Sequence, residues 1–266
     1  MNCARCANYA AAPGGELCRQ CEAAELHPAD LPLPAHTALP IQSPHGPAWL
    51  RSPVALGRAV AILLGAVAVA DLVAVWADLM LLDVMDRMAG GEWVAAMEDS
   101  DRADGLIALA GILQTLTYVG TAVVFVVWFH RVRVNAEVFE PFGHRKKRGW
   151  AIGSWFVPVV NLWFPRRIAL DCWDASGPWR KPRSHALVNT WWTLWLLSLF
   201  AGELGDRMYI RAEEVEEYRL AAQRMLFADS LEIVSAVFAA LFVLALTRMQ
   251  DEKARSGPGV PDPVGV

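Results

Sequence analysis

Apolar residues run almost unbroken over residues 56–82, 105–129, 185–203 and 225–247, and charged residues bound each run. A helix needs about 20 apolar residues to cover the roughly 30 Å hydrocarbon layer of a bilayer, so each run predicts a transmembrane helix. Residues 105–129 are the plainest of the four, with 25 positions and no Asp, Glu, Lys, Arg or His. A further stretch, Gly149 to Pro165, is uncharged but only 17 residues long, and Pro158 and Asn161 interrupt it. As a continuous helix it would reach about 25 Å, which leaves both a crossing and a shallower path open.

Charge separates the two. Lys and Arg near the ends of membrane segments accumulate on the cytoplasmic side. Four crossings place 18 of the 24 Lys and Arg on one side, whereas five place 14 there. The pattern therefore predicts an all-α integral membrane protein of the cell membrane, with four transmembrane helices and both termini cytoplasmic. Residues 149–175 are then re-entrant or interfacial. Asp83 to Asp104 holds seven acidic residues and Glu203 to Arg224 six, and both stretches are expected as outward loops. Trp49, Trp128, Trp150, Trp163, Trp173 and Trp179 fall at the predicted inner boundary and Trp93 in the outer loop, as interfacial indoles should.

Composition agrees, since 55% hydrophobic residues in a chain of 266 exceeds what one soluble core of this size uses. Met1 to Gly15 lacks the apolar centre of a signal peptide, so the amino terminus is not expected to be translocated. The predicted organisation is a Cys-bearing module at 1–26, a Pro-rich linker at 27–53, a membrane domain at 54–249 and a disordered tail at 250–266. Seven prolines, at positions 28, 32, 34, 40, 44, 47 and 53, favour extended backbone in the linker.

Cys3, Cys6, Cys18 and Cys21 form C-x2-C-x11-C-x2-C, with Pro13, Gly14 and Gly15 able to turn the chain between the pairs. Two such knuckles can present four thiolates tetrahedrally to Zn²⁺, and so short a module has too little apolar surface to fold unaided. A site of four thiolates leaves no position for water, so the predicted zinc is structural and the module zinc-ribbon-like. Disulfides and free thiols are the alternatives, and a metal implies a reducing compartment. The module offers either a small stabilised knob or a docking surface for a cytoplasmic protein. Arg5 and Arg19 are outnumbered there by Glu16, Glu22 and Glu25, so no nucleic acid is expected as a partner.

Cys172 stands apart and takes no role, and His130, His144 and His185 lack the spacing of a ligand set. His144, Arg145, Lys146, Lys147 and Arg148 form a basic run beside the membrane, either an orientation signal or a contact for anionic headgroups. Inside the spans, Asp71, Asp78, Asp229 and Glu232 are the candidate polar site, because a carboxyl in hydrocarbon is costly. Asp71 and Asp78 are seven apart, and Asp229 and Glu232 three apart, so each pair shares a helix face. Gln114, Thr115, Thr117, Tyr118, Asn189, Thr190 and Thr193 offer polar partners on neighbouring helices, and packing glue is the plainer role for such groups.

From Trp128 to Ser176, the runs RVRVNAEVF and HRKKRGWAIGSWFVPVVNLWFPRRIALDCWDAS resemble the core of an actinobacterial multi-pass membrane family, domain of unknown function 4328. Asn135, Gly149, Trp150, Pro158, Asn161, Pro165 and Trp173 carry that likeness. Some members have a similar amino-terminal zinc-ribbon-like extension. The resemblance implies an integral membrane protein and carries over no catalytic residues. No nucleophile and base pair, phosphate loop or open metal site stands out, so a non-enzymatic protein is expected. An interaction, scaffold or sensing protein in the lipid bilayer is the first expectation. A small transporter, or proton- or cation-coupled carrier using the intramembrane acids, is the alternative.

Overall fold

The computed structural model describes residues 41–177 and 183–256, together with Gly15. The chain divides into two units, residues 1–39 and 40–266, and the fold below is that of the second. The expected Cys-bearing module at 1–26 and the tail beyond Ser256 lie outside the described residues, Gly15 apart.

Four long helices dominate: α1 (Val54–Ala89), α2 (Trp93–Phe139), α5 (Ala186–Arg211) and α6 (Val215–Ser256). Between α2 and α5 lie the short α3 (Trp150–Gly153), a 3-10 turn (Val160–Leu162) and α4 (Phe164–Ser176). Helix α1 packs along α2 on one side and α6 on the other, and α6 packs along α5, giving the order α2, α1, α6, α5. Helices α1, α2 and α6 are long and apolar enough to cross a membrane.

The faces of α1 show what surrounds it. Val60, Leu64, Val67, Asp71, Ala74, Asp78 and Leu81 are buried at helical spacing, while Ile62, Val69, Leu72, Trp76 and Leu79 are each more than half exposed. The outward face is thus the more apolar and the inward face carries the acids, the reverse of a helix on a water-soluble protein. Apolar surface this continuous is stable against lipid and unstable against water.

Each long helix outlasts the apolar run that predicts it. The 47 residues of α2 span about 70 Å, far beyond the hydrocarbon thickness. The stretches 83–104 and 203–224, expected as outer loops, are mostly helical, and the chain reverses only at Gly90–Glu92 and Ala212–Glu214. Ion pairs one turn apart carry the helices onward, with Arg87 to Asp83 at 2.9 Å and Arg207 to Glu203 at 2.7 Å. Helix α1 stops where Gly91 takes φ +89°, so that Gly91 N–H reaches Met88 O at 3.1 Å and Glu92 N–H reaches Arg87 O at 3.0 Å. The carboxyl end departs from expectation in the same way. Residues 250–256, expected as disordered tail, belong to α6, where Arg255 pairs with Asp251 at 2.6 Å.

Both reversals meet at one end of the bundle, where Arg219 Nε lies 2.6 Å from Asp86 Oδ1 and Met85 packs with Ala222. That end collects the acidic stretches, and the opposite end collects the run Arg145 to Arg148 with Arg166 and Arg167. Part of the expected linker is built into the basic end. Residues Ile41–Ser43 and Gly46–Ala48 pair as an antiparallel hairpin, β1 and β2, turned by Gly46 at φ +103°. Extended backbone was the expectation there, and an edge strand tolerates Pro47 because no neighbour needs its missing N–H.

The hairpin is clamped by α2. Arg148 donates to Gly46 O at 2.7 Å and Pro47 O at 2.9 Å, and its Nε meets Glu137 Oε2 at 2.5 Å. Arg133, one turn before Glu137, holds Oε1 at 2.7 Å, and neither side chain is exposed by more than 1%. Asn135 donates to Arg51 O at 2.7 Å and to Gln250 Oε1 at 3.0 Å, and accepts from Arg51 N–H at 2.9 Å. Arg133, Asn135 and Glu137 of α2, with Arg148 from the loop that follows it, therefore tie the entering chain and the end of α6 together.

Residues 149–165 form no single helix. After α3 the chain turns at Val159, whose φ of +67° closes a three-residue turn from Val160 N–H to Pro158 O at 2.7 Å. A β-branched residue with positive φ is strained and needs the surrounding packing to hold it. Pro165 then fits the first turn of α4, where no N–H is required.

Candidate functional site

Asp71 and Asp78 lie on the buried face of α1 because their spacing is two helical turns, and Asp229 and Glu232 share a face of α6. The two helices pack together, so the four acids meet. Gln114 of α2 closes the group: its amide nitrogen donates to Asp71 Oδ1 at 3.1 Å and to Asp229 Oδ1 at 3.0 Å. Asp78 lies against Asp229, within reach of a hydrogen bond between the two carboxyls. Such a bond needs one proton for the pair.

A cavity of about 390 Å³ opens above them, and Asp71, Asp229 and Glu232 line it. Helix α5 adds Trp195, Ser198, Glu203 and Asp206, and α2 adds Tyr118 and Val119. Asp78 does not line the cavity and is 2% exposed. Among the described lining residues there is no Lys, Arg or His. Asp71 is 1% exposed and its Oδ2 has no hydrogen-bond partner among the described residues. The donors are nevertheless not drawn into a chelate: among the described residues no three His, Cys, Asp or Glu side chains group as a metal set.

The cavity exists because α2 and α5 are not packed helix against helix along their length. Rings fill the lower part of that gap. Trp155, from the turn after α3, stands edge-on to Phe125 and Phe129 of α2, with centroids at 5.4 and 5.7 Å, and to Trp195 of α5 at 5.7 Å. Phe125 meets Trp191 directly at 6.0 Å. The indole of Trp195 therefore forms part of the cavity floor and leans on Trp155.

Of the other expected polar residues, Thr115 and Tyr118 also line the cavity, and the rest lie outside its lining. Thr115 and Thr117 hydrogen-bond to their own helix, at Gly111 O and Leu113 O. Asn189 accepts from Arg166 at 2.7 Å. Asn135 works in the hairpin clamp, and Trp173 is buried against Phe242 at 6.2 Å between centroids. Pro158 accepts the strained turn's hydrogen bond, and Asn161 N–H bonds to Val157 O at 3.1 Å. Gly149 and Trp150 begin α3, and Trp150 packs its ring on Phe164 at 5.2 Å. Cys172 is fully buried and burial pushes its thiol up to about 12, so it is inert. Cys3, Cys6, Cys18 and Cys21 lie outside the described residues.

Sequence reasoning missed Glu203 and Asp206 as partners of the buried acids, although their spacing of three marks one helix face. It also missed Glu137: Arg133 stands one turn before it, but its other partners lie 94 residues away in sequence at Ser43 and 11 away at Arg148.

A family model described as "Domain of unknown function (DUF4328)" matches residues 94–248, more than half of the chain. No curated protein and no solved structure matches.

Proposed function

The chain belongs to that family, and we propose that it is a multi-pass membrane protein that binds a proton or small cation at the Asp71, Asp229 and Glu232 cluster and carries it through the bilayer. The single observation behind this is the convergence of acids from α1 and α6, bridged by Gln114, on one cavity. Carboxyls in a membrane domain that face a shared space mark ion paths and proton relays. Under this reading α5 is the fourth crossing, the acidic end faces outward, and the basic end with both termini faces the cytoplasm. Residues 149–163 then dip from the inner face, with Trp155 inserted between α2 and α5. Purified protein in liposomes takes up protons or Na⁺ down a gradient, and Asp71→Asn abolishes the uptake. Uptake unchanged in that variant removes the site.

A second role rests on the spacing of the four cysteines. Cys3, Cys6, Cys18 and Cys21 hold a structural Zn²⁺, and the module so formed docks a cytoplasmic protein. Spacing alone supports the metal. Metal analysis of the purified chain gives one zinc per molecule, lost when Cys3 and Cys6 become Ser; zinc retained in that variant refutes the assignment.

A further inference from the structure

We propose that the cavity takes an organic ammonium ion with an apolar body, which rests on the cation reading above and narrows it to a ligand class. Size is the first reason. About 390 Å³ is many times the roughly 30 Å³ that a water occupies in the liquid, and far more than a bare cation fills. Geometry is the second: the carboxyls face the space from three helices without closing to metal-ligand spacing, so they suit a charge spread over a larger group.

The lining gives the third. Tyr118 and Trp195 present ring surface beside the acids, the pairing that recognises ammonium groups by attraction to the π face. Val67, Val119 and Leu199 supply apolar wall, and Val119 and Leu199 are also exposed on the bundle's outer surface at 56% and 40%. The cavity therefore continues into the lipid-facing side between α2 and α5, which is where an amphiphilic cation partitions. Fourth, Asp71 Oδ2 is buried beneath this space with no partner among the described residues, so it is placed to accept from or pair with an incoming cation.

The test uses the full chain in lipid nanodiscs with radiolabelled benzyltrimethylammonium, and neopentylbenzene as its uncharged counterpart of the same shape. Equilibrium dialysis shows saturable binding of the ammonium, competed by excess unlabelled ammonium and not by neopentylbenzene. Asp71→Asn and Trp195→Ala each weaken it about tenfold, the loss expected for one buried charge or one ring contact. Trp195→Phe, which keeps a ring, restores most of the binding. Absence of saturable binding, or binding indifferent to both Asp71→Asn and Trp195→Ala, overturns the inference. Proton or Na⁺ uptake dependent on Asp71, measured in liposomes made from the same purified protein, separates the two readings. If uptake persists without ammonium binding, the ligand class is wrong and the cation site stands. If both are absent, the site itself falls.

Discussion

Single side chains carry unusual weight where charge is buried. Glu137 is fully enclosed and balances Arg133 and Arg148, so Glu137→Ala leaves a guanidinium buried without its partner. Breaking such a pair costs about 3–5 kcal/mol, and thermal unfolding in detergent should show a large fall in Tm for Glu137→Ala. His144 makes a different prediction. Burial, then the Arg133 charge, lower its pKa from 6.5 to about 4, with His45 acting in the same direction and Glu137 against it. Below pH 6.5 the unfolded chain takes a proton on His144 that the folded chain refuses until about pH 4. Stability therefore falls as pH drops through that window. His144→Gln removes this component, so the Tm of the variant should decline less than that of the parent between pH 6.5 and 4. At this scale the sequence was partly legible. A carboxyl in an apolar run is conspicuous, and Asp71 and Asp229 were evident for that reason. Glu137 sits among arginines near a helix end, where a charged residue looks solvated, and only the folded contacts reveal its role.

The helices themselves show why one close contact matters more than average packing. A Cβ on Gly57 would fall on the Thr247 side chain, so α1 and α6 approach closely there, and Trp128 Nε1 donates to the same Thr247 hydroxyl at 3.0 Å. Gly57→Leu forces the pair apart and should cost about 1–3 kcal/mol, read as a lower Tm. Gly65→Ala is the contrast, because a Cβ at Gly65 meets nothing within 4 Å. It should leave stability unchanged or raise it by about 0.5–1 kcal/mol, since Ala is the better helix former. The existence of α1, α2, α5 and α6 was readable from apolar runs, whereas their ends were not. Hydrophobicity marks where lipid begins and ends, and helices continue past that point wherever ion pairs such as Arg207 with Glu203 and packing such as Met85 on Ala222 support them. The hairpin at 41–48 was illegible for the opposite reason: its stability lies in Arg148, a hundred residues on.

Across the whole molecule, the acidic and basic ends give a vectorial object whose orientation is testable. In a chain with Cys3, Cys6, Cys18 and Cys21 replaced by Ser, cysteines introduced at Glu92 and Glu214 should react with an impermeant maleimide from outside, and one at Lys181 only from the cytoplasm. Native Cys172 should stay unlabelled, being fully buried. Labelling of position 181 from outside would reverse the proposed topology. The order α2, α1, α6, α5 leaves the two outer helices facing each other with rings in place of a helix interface. Interlocked helices part only by shifting whole rods, but indoles and phenyls can swing about two torsions each. Trp155 thus closes the seam beneath the cavity, and under the proposed carrier reading an ion leaving toward the basic end has to displace this one side chain.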